Sequence, residues 1–447
     1  MTDDQLHSQA TRRPGVFAGR SGKGLSIVVA SGLTASALLL APGTRADGQP
    51  GNDPPAANPQ VIADWNATAV ATIATDAAKG PAEAYVYFAF AQLAMYNAAV
   101  GITGDYEQYR WRRRGPTGAS PEAAAAAAGH ELLMTYFPAS QARLDSALAA
   151  SLGNVPDGPA EDLGVAFGIA AADRIVDLRA NDGRNAPLEF TMPVGPGVWR
   201  PTADPPVPFF APWLSQLQPL VMKSPDQFRP GPPPRLSSRQ YAREFNEVKA
   251  LGSATSTQRT PEQTQTARFF SDTGVGGLQA SLRDLVIRHG MSISEAARLM
   301  AAADVSVADA VISTWDAKFH YGFWRPVTAI RLADTDGNAA TSPDGAWTSF
   351  IPTPPYPDYT SGLNAFVGAT SRAVARVLHT DRIDMFITSA AAAETRHYAY
   401  VDPINQDAID ARVWSGLHFR TADLVGNHRA QRIAEYVVSH AFRPIDD

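Results

Sequence analysis

The 447-residue chain contains no cysteine. That excludes disulfides, Cys-ligated zinc or iron–sulfur centres and thiol nucleophiles, and it leaves redox compartment unreadable. Basic residues are in deficit, with 38 Lys+Arg against 44 Asp+Glu and a net charge of −6. A nucleic-acid partner, which needs a basic face, is therefore not expected, and nothing favours docking on anionic lipid. Strand signals are sparse and no internal repeat stands out. Long apolar runs are scarce too. Residues 83–100 (EAYVYFAFAQLAMYNAAV) are apolar on most faces, but Glu83, Gln92 and Asn97 among them favour a buried bundle helix over a membrane span, so no integral membrane domain is expected. What the chain does have is 45% hydrophobic and only 18% charged residues, enough for a large core and far from a disordered composition.

The N-terminus reads as a targeting segment. Arg12, Arg13, Arg20 and Lys23 precede an apolar stretch over about 25–41, followed by Thr44-Arg45-Ala46, a small-x-small cleavage pattern. The Arg12-Arg13 pair with Phe17 loosely matches a twin-arginine signal, interrupted by Pro14 and Gly15. The apolar stretch is short of the ~20 residues a span requires, so cleavage and a secreted or extracytoplasmic location are expected. The expected organisation is a signal peptide over 1–46, a flexible leader over 47–60, N-terminal helices with a Pro-rich wrapping loop over 61–236, and a helical core over 237–447, the last two forming one compact domain.

Between 190 and 234 the density of proline makes helix untenable, and Trp199, Phe209, Phe210 and Trp213 are expected to pin this loop to the bundle. A long helix is expected over 294–324, ending where Pro326 disfavours helical geometry at Arg325. A second Pro-rich loop covers 351–357, and helices are expected over 361–378, 385–396, 406–416 and 421–440. The fold class is all-α, a helical bundle with long Pro-rich loops.

Three stretches carry chemistry. In the first, Arg325-Pro326 follows Lys318 seven positions on, which on a helix is two turns, about 10 Å. A guanidinium fork and an ammonium on one face suit a tetrahedral oxyanion. Alone, the pair reads more plainly as two surface charges, but Trp315, Phe319, Tyr321, Phe323 and Trp324 crowd the same stretch. In the second, Pro357-Asp-Tyr-Thr360-Ser361-Gly362-Leu363-Asn364 delivers Thr360 or Ser361 as the N-cap of a helix. The first amides of that helix are a ready anion site, and Gly362 permits close approach. An ordinary capped helix would look the same. In the third, Arg412 is followed six residues later by His418, and Gly416 between them can end the helix and turn the imidazole back toward a pocket. Neutral imidazole is a nucleophile toward phosphorus and a ligand for a metal oxyanion, although a lone histidine is more often structural. Asp423, or a backbone carbonyl, can orient its other ring nitrogen.

In order and spacing these stretches resemble the superfamily that joins vanadium-dependent haloperoxidases to type 2 phosphatidic-acid phosphatases. The superfamily pattern is Lys-x6-Arg-Pro, then Pro-Ser-Gly-His, then Ser-Arg-x5-His. The resemblance is specific over about 290–440 and extends weakly upstream through Gln227-Phe-Arg-Pro-Gly-Pro-Pro-Pro and Phe245-Asn-Glu-Val-Lys249, toward secreted bacterial haloperoxidase-like proteins. It implies a bundle that holds vanadate, or phosphate as ligand or substrate. Lys318, Arg325 and Arg412 would neutralise its oxygens, and Ser361 and the Gly362 amide would hydrogen-bond them. His418 would bond to vanadium or attack phosphorus. Trp315 sits where these enzymes place an aromatic near the cofactor, and Tyr356, Leu363, Asn364 and Asp423 would complete the pocket.

Three positions depart from the pattern. Thr360 for proline and Ala411 for serine are mild, but Leu363 stands where the superfamily has its acid/base histidine. Losing such a group costs on the order of 10²–10⁴ in rate, whereas the anion clamp needs only cations and N–H donors. His320, His397, Asn364 or a water are the candidates to handle the proton. The first expectation is a peroxide-dependent halide-oxidising enzyme impaired by Leu363. The second is a soluble acid phosphatase acting on phosphomonoesters through a phosphohistidine at His418. The third is a non-catalytic phosphate or vanadate binder.

Overall fold

The computed structural model describes residues 57–445; the expected signal peptide and nearly all of the leader lie outside them. In chain order the elements are α1 Gln60–Val70, α2 Pro81–Thr103, α3 Pro121–Tyr136, α4 Gln141–Leu152, α5 Pro159–Arg179, α6 Arg239–Leu251, α7 Pro261–Asp272, α8 Gly276–Arg288, α9 Ile293–Tyr321, α10 Pro326–Arg331, α11 Gly362–Leu378, β1 Arg382–Ser389, β2 Glu394–Tyr400, α12 Val401–Trp414 and α13 Arg420–His440.

The apolar segment at 83–100 becomes α2, which starts on Pro81, ends on a left-handed Gly104, and is buried over nearly its whole length. Its partner is α9. A capping box between Ser292 and Glu295 starts α9, and every residue from Ile293 to Lys318 except Glu295 is buried. The run of Ala, Ser and Val on α9 lets α2, α11 and α13 approach it from several sides. α3 and α5 flank α2, and Gly168 is needed there, since a Cβ would lie 2.1 Å from the Ala124 carbonyl oxygen. α9 stops at Gly322 (φ +53), a turn earlier than the sequence suggests, and Arg325 is extended (ψ 155) as Pro326 demands.

The Pro-rich stretch is non-helical apart from a 3₁₀ turn at Pro212–Gln216. Trp199, Phe209 and Trp213 are buried and Phe210 is half-buried. Asp309 of α9 fixes the loop by accepting from the Leu220, Val221 and Met222 amides at 2.7, 2.9 and 2.8 Å.

One expected helix is wrong. Residues 385–396 fall in an antiparallel hairpin, β1 paired with β2, with Ile387 opposite Arg396. Ile383, Met385, Ile387 and Ser389 alternate with more exposed neighbours, a period of two. The alanines at 390–393, which favoured helix in the sequence, form the connecting turn. α12 accordingly begins at Val401, earlier than expected.

Two apolar clusters meet near the C-terminal end of α9. The larger contains Trp315 and Leu363, the smaller Trp324, Tyr359 and Phe419. The three sequence motifs converge on this seam.

Candidate functional site

Lys318 lies in the last turn of α9 with no solvent exposure. Its Nζ donates to the carbonyls of Pro357 (2.6 Å) and Asp358 (3.1 Å) and stands 4.8 Å from the centre of the Tyr356 ring. Arg325 is equally buried. Its Nε donates to the Tyr356 carbonyl (2.7 Å) and its Nη1 to the Leu417 carbonyl (2.7 Å). The second Pro-rich loop is thus clamped between the two cations, and Tyr356 offers its ring face to both, with the Arg325 Cζ at 4.9 Å.

His418 is brought in as the sequence suggested. α12 ends, Gly416 takes φ +78, and a Cβ there would meet the Gly252 carbonyl at 2.3 Å, so only glycine fits the turn. The imidazole is 1% exposed, with Nδ1 2.8 Å from Asp358 Oδ1 and Nε2 3.1 Å from Arg325 Nη1. This pattern fits the neutral ring, with Nδ1–H donating to the carboxylate and Nε2 accepting. Burial, then repulsion by Arg325 and Lys318, holds the imidazole well below its ordinary pKa.

The orienting carboxylate is therefore Asp358 and not Asp423. Asp423, in the first turn of α13, faces α11, where its Oδ1 accepts from Asn364 Nδ2 at 2.9 Å. Asn364 also reaches Ser361 Oγ (3.3 Å) and accepts from Asn427 (3.2 Å), which joins Asn405 (2.6 Å) in a buried polar chain. Asp358 was open to discovery as the single acidic residue of the second motif. Arg429 was not, because it lies outside all three motifs. From α13 it reaches Thr360 Oγ1 (2.8 Å) and Thr314 Oγ1 (2.5 Å), fixing the motif loop from behind.

Ser361 is the N-cap of α11, yet its side chain makes no capping bond, so the first-turn amides from Gly362 onward have no intrahelical partner. Beside Gly362, an added Cβ would meet Trp315 (3.7 Å) and the Tyr356 hydroxyl (3.9 Å) at van der Waals contact, so the aromatic pair faces the start of α11. Arg412, in the last turn of α12, is 7% exposed. Leu363 packs into the apolar wall, near Gly274 and Phe366. Of the proton-handling candidates, Asn364 alone joins this constellation. His320 is exposed beside Tyr321, and His397 stacks on Phe386 of the hairpin and bonds to Asp384.

The electrostatics are unbalanced. Among the described residues, Lys318, Arg325 and Arg412 are buried with two carboxylates, Asp358 and Asp423, which are themselves buried. Burial, then Arg325, pushes Lys318 well below its usual range; burial pushes Asp358 up to about 7 against Arg325 and Lys318, and Asp423 well above its usual value. Arg325 Nη2 and Arg412 Nε are buried without a hydrogen-bond partner. Unpaired buried donors are costly, and an anion with several acceptor oxygens would relieve both them and the excess positive charge. By this test the residues fit a vanadate or phosphate group.

Residues 298–447 match the family model described as the VCPO second helical-bundle domain. Over that C-terminal third, and in overall fold, the chain is similar to the vanadium haloperoxidases. It is 26% identical over 201 residues to the vanadium chloroperoxidase of Curvularia inaequalis, a match covering 38% of this chain and about a third (32%) of that protein's length. In fold it is similar to a bacterial vanadium-dependent iodoperoxidase, with a TM-score of 0.74 and 23% identity over 89% of this chain and 100% of that one. It is similar also to a holo-type bacterial vanadium-dependent chloroperoxidase, with a TM-score of 0.69 and 21% identity over 87% of this chain and 99% of that one.

Proposed function

We propose that the protein is a vanadate-dependent, haloperoxidase-like oxidoreductase that oxidises halide with hydrogen peroxide. The observation that carries this reading is the buried cluster of cations with unpartnered donors on Arg325 and Arg412. Lys318, Arg325 and Arg412 hold the oxyanion's charge, the Ser361 hydroxyl and Gly362 amide hydrogen-bond its oxygens, and His418 Nε2 is the ligand. Vanadate, when bound, supplies a Lewis-acidic centre that activates peroxide toward halide.

The chain's own residues do the rest. Asp358 keeps the His418 proton on Nδ1, leaving the Nε2 lone pair for a ligand, and Arg325, beside Nε2, would be among the residues holding the anion's charge. Trp315 and Tyr356 exclude water from the Gly362 side. Leu363 moves no proton, and the Asn364 amide, bonded to Asp423 and Asn427, does not titrate, so turnover is slow relative to a pocket carrying an acid/base there. The segment 1–46 directs export.

A phosphatase reading draws on one specific feature, the neutral imidazole held by a carboxylate, which also suits attack on phosphorus. A non-catalytic oxyanion binder is the third outcome. The test is bromination with vanadate, peroxide and bromide beside phosphomonoester hydrolysis, in wild type and His418→Ala. Vanadate-dependent bromination lost in the variant supports the proposal. Hydrolysis alone supports the phosphatase, and absence of both activities with no oxyanion binding sinks the site assignment.

A further inference from the structure

A second charged site lies at the other end of α9. There Ser294 Oγ donates to Asp105 (2.5 Å) and Arg298 Nε to the Phe442 carbonyl (2.9 Å). From Ser294 to Lys318 the helix rises about 36 Å, so nothing at this end touches the oxyanion pocket. A cleft of about 880 Å³ opens here, lined by Val100 and Gly101 of α2, by the segment that follows α2, and by Arg443 and Ile445. That volume lies in the range of small-molecule sites.

The walls are fixed. The Asn97 side chain clamps both backbone groups of Tyr109 (3.0 and 2.7 Å), and the Tyr109 hydroxyl donates to Leu220 (2.7 Å). Gly115 N–H bonds to the Gly101 carbonyl (2.7 Å), and the C-terminal segment lies against 105–107 through Glu107 N to Arg443 O (2.9 Å) and Ile445 N to Asp105 O (3.1 Å). Between these anchors the chain turns at Arg110 with φ +47, and the Arg174 guanidinium binds the Arg110 carbonyl. Trp111 is held from behind by stacking on Phe167 at 5.1 Å.

Charge is concentrated on this frame. Glu107 and Arg443 neutralise each other in a two-pronged pair. Arg110, Arg112, Arg113 and Arg114 are exposed cleft-lining residues, and none has a carboxylate partner within 4 Å among the described residues. Four uncompensated guanidiniums within five residues, on a chain of net charge −6, make a local cationic field beside an indole ring. A guanidinium offers forked donors to carboxylate, sulfate or phosphate, and Trp111 and Tyr106 offer an aromatic wall.

We propose that this cleft binds a small aryl anion, its ring against Trp111 and its acidic group among Arg110, Arg112, Arg113 and Arg114, independently of the oxyanion pocket. The probe is naphthalene-2-carboxylate, titrated by calorimetry into the full chain. One site is expected, weakening with salt, with the neutral naphthalene-2-methanol binding at least about tenfold more weakly. Arg112→Glu/Arg114→Glu, two exposed positions whose replacement leaves folding intact by circular dichroism, should lose about tenfold or more in affinity, while Lys318→Met binds the probe as wild type does. Absence of binding to wild type, equal binding by the double variant, or loss in Lys318→Met overturns the proposal.

Discussion

Replacing Lys318 by methionine removes one buried positive charge and keeps the length of the side chain. The ammonium is fully enclosed, 2.6 and 3.1 Å from the carbonyls of Pro357 and Asp358. Two unit charges about 4 Å apart at an effective dielectric near 20 interact by about 4 kcal/mol, roughly a factor of 10³. Arg325 and Arg412 remain and can shift toward the anion, so about a 100-fold loss of vanadate affinity is expected. Linkage turns that into a second readout. At a vanadate concentration about 100 times the wild-type Kd, wild type gains about 2.7 kcal/mol of stability, and a variant with a 100-fold weaker Kd about 0.4 kcal/mol. The unliganded variant should unfold near the wild-type temperature. Two hydrogen bonds are lost, but so is a charge that burial already disfavours. Calorimetric titration with orthovanadate and thermal unfolding with and without it measure both quantities. A Kd within about threefold of wild type would refute the reasoning.

Three further perturbations follow from the same geometry. Asp358→Ala leaves His418 Nδ1 without its buried acceptor and should weaken vanadate binding about 10–100-fold, the usual consequence of removing a group that orients a ligating histidine; an unchanged titration would mean the pair does not orient the ring. Leu363→His introduces a titratable group at the apolar wall and should raise the bromination rate by about 10² or more with vanadate affinity little changed; no gain would mean proton transfer is not what limits turnover. Asp304, enclosed in α9 and bonded to Gln279 (2.5 Å), is pushed by burial up to about 7, well above the ordinary carboxylate range. Between about pH 4 and 7 the unfolded chain has released this proton and the native chain has not. Stability therefore falls as pH rises, by up to about 1.4 kcal/mol per pH unit, and levels off above about 7. Asp304→Asn should flatten this portion of the urea-unfolding profile and be the more stable form at pH 8, and an identical slope in both proteins would reject the assignment.

The residues of the proposed oxyanion site, which the structure brings together, could be picked out in the sequence because each sits in a local pattern with a physical reason: Lys318 and Arg325 two turns apart among aromatics, Ser361-Gly362 after a Pro-rich loop, and His418 after a glycine that ends α12. Their partners were harder to read. Asp423 was expected beside His418 because it follows it closely in sequence, but the first turn of α13 points that carboxyl at Asn364 of α11, and the position is filled by Asp358, 60 residues upstream. Arg429 reaches Thr360 across 69 residues with no motif to announce it. The hairpin at 382–400 was masked by its own turn, where a run of alanines outweighs a short alternation of Ile383, Met385 and Ile387. In each case a contact between distant segments decided the matter, and local propensity carries no record of such contacts.

The central claim is that these residues bind one oxyanion through His418, and a crystal of the protein soaked in orthovanadate tests it most directly. The account predicts density bonded to His418 Nε2, with oxygens within hydrogen-bond distance of Arg325 Nη2, Arg412 Nε and the Gly362 amide. A pocket without density under conditions where vanadate saturates the protein in solution, or vanadate bound only in the Arg110–Arg114 cleft, would contradict it.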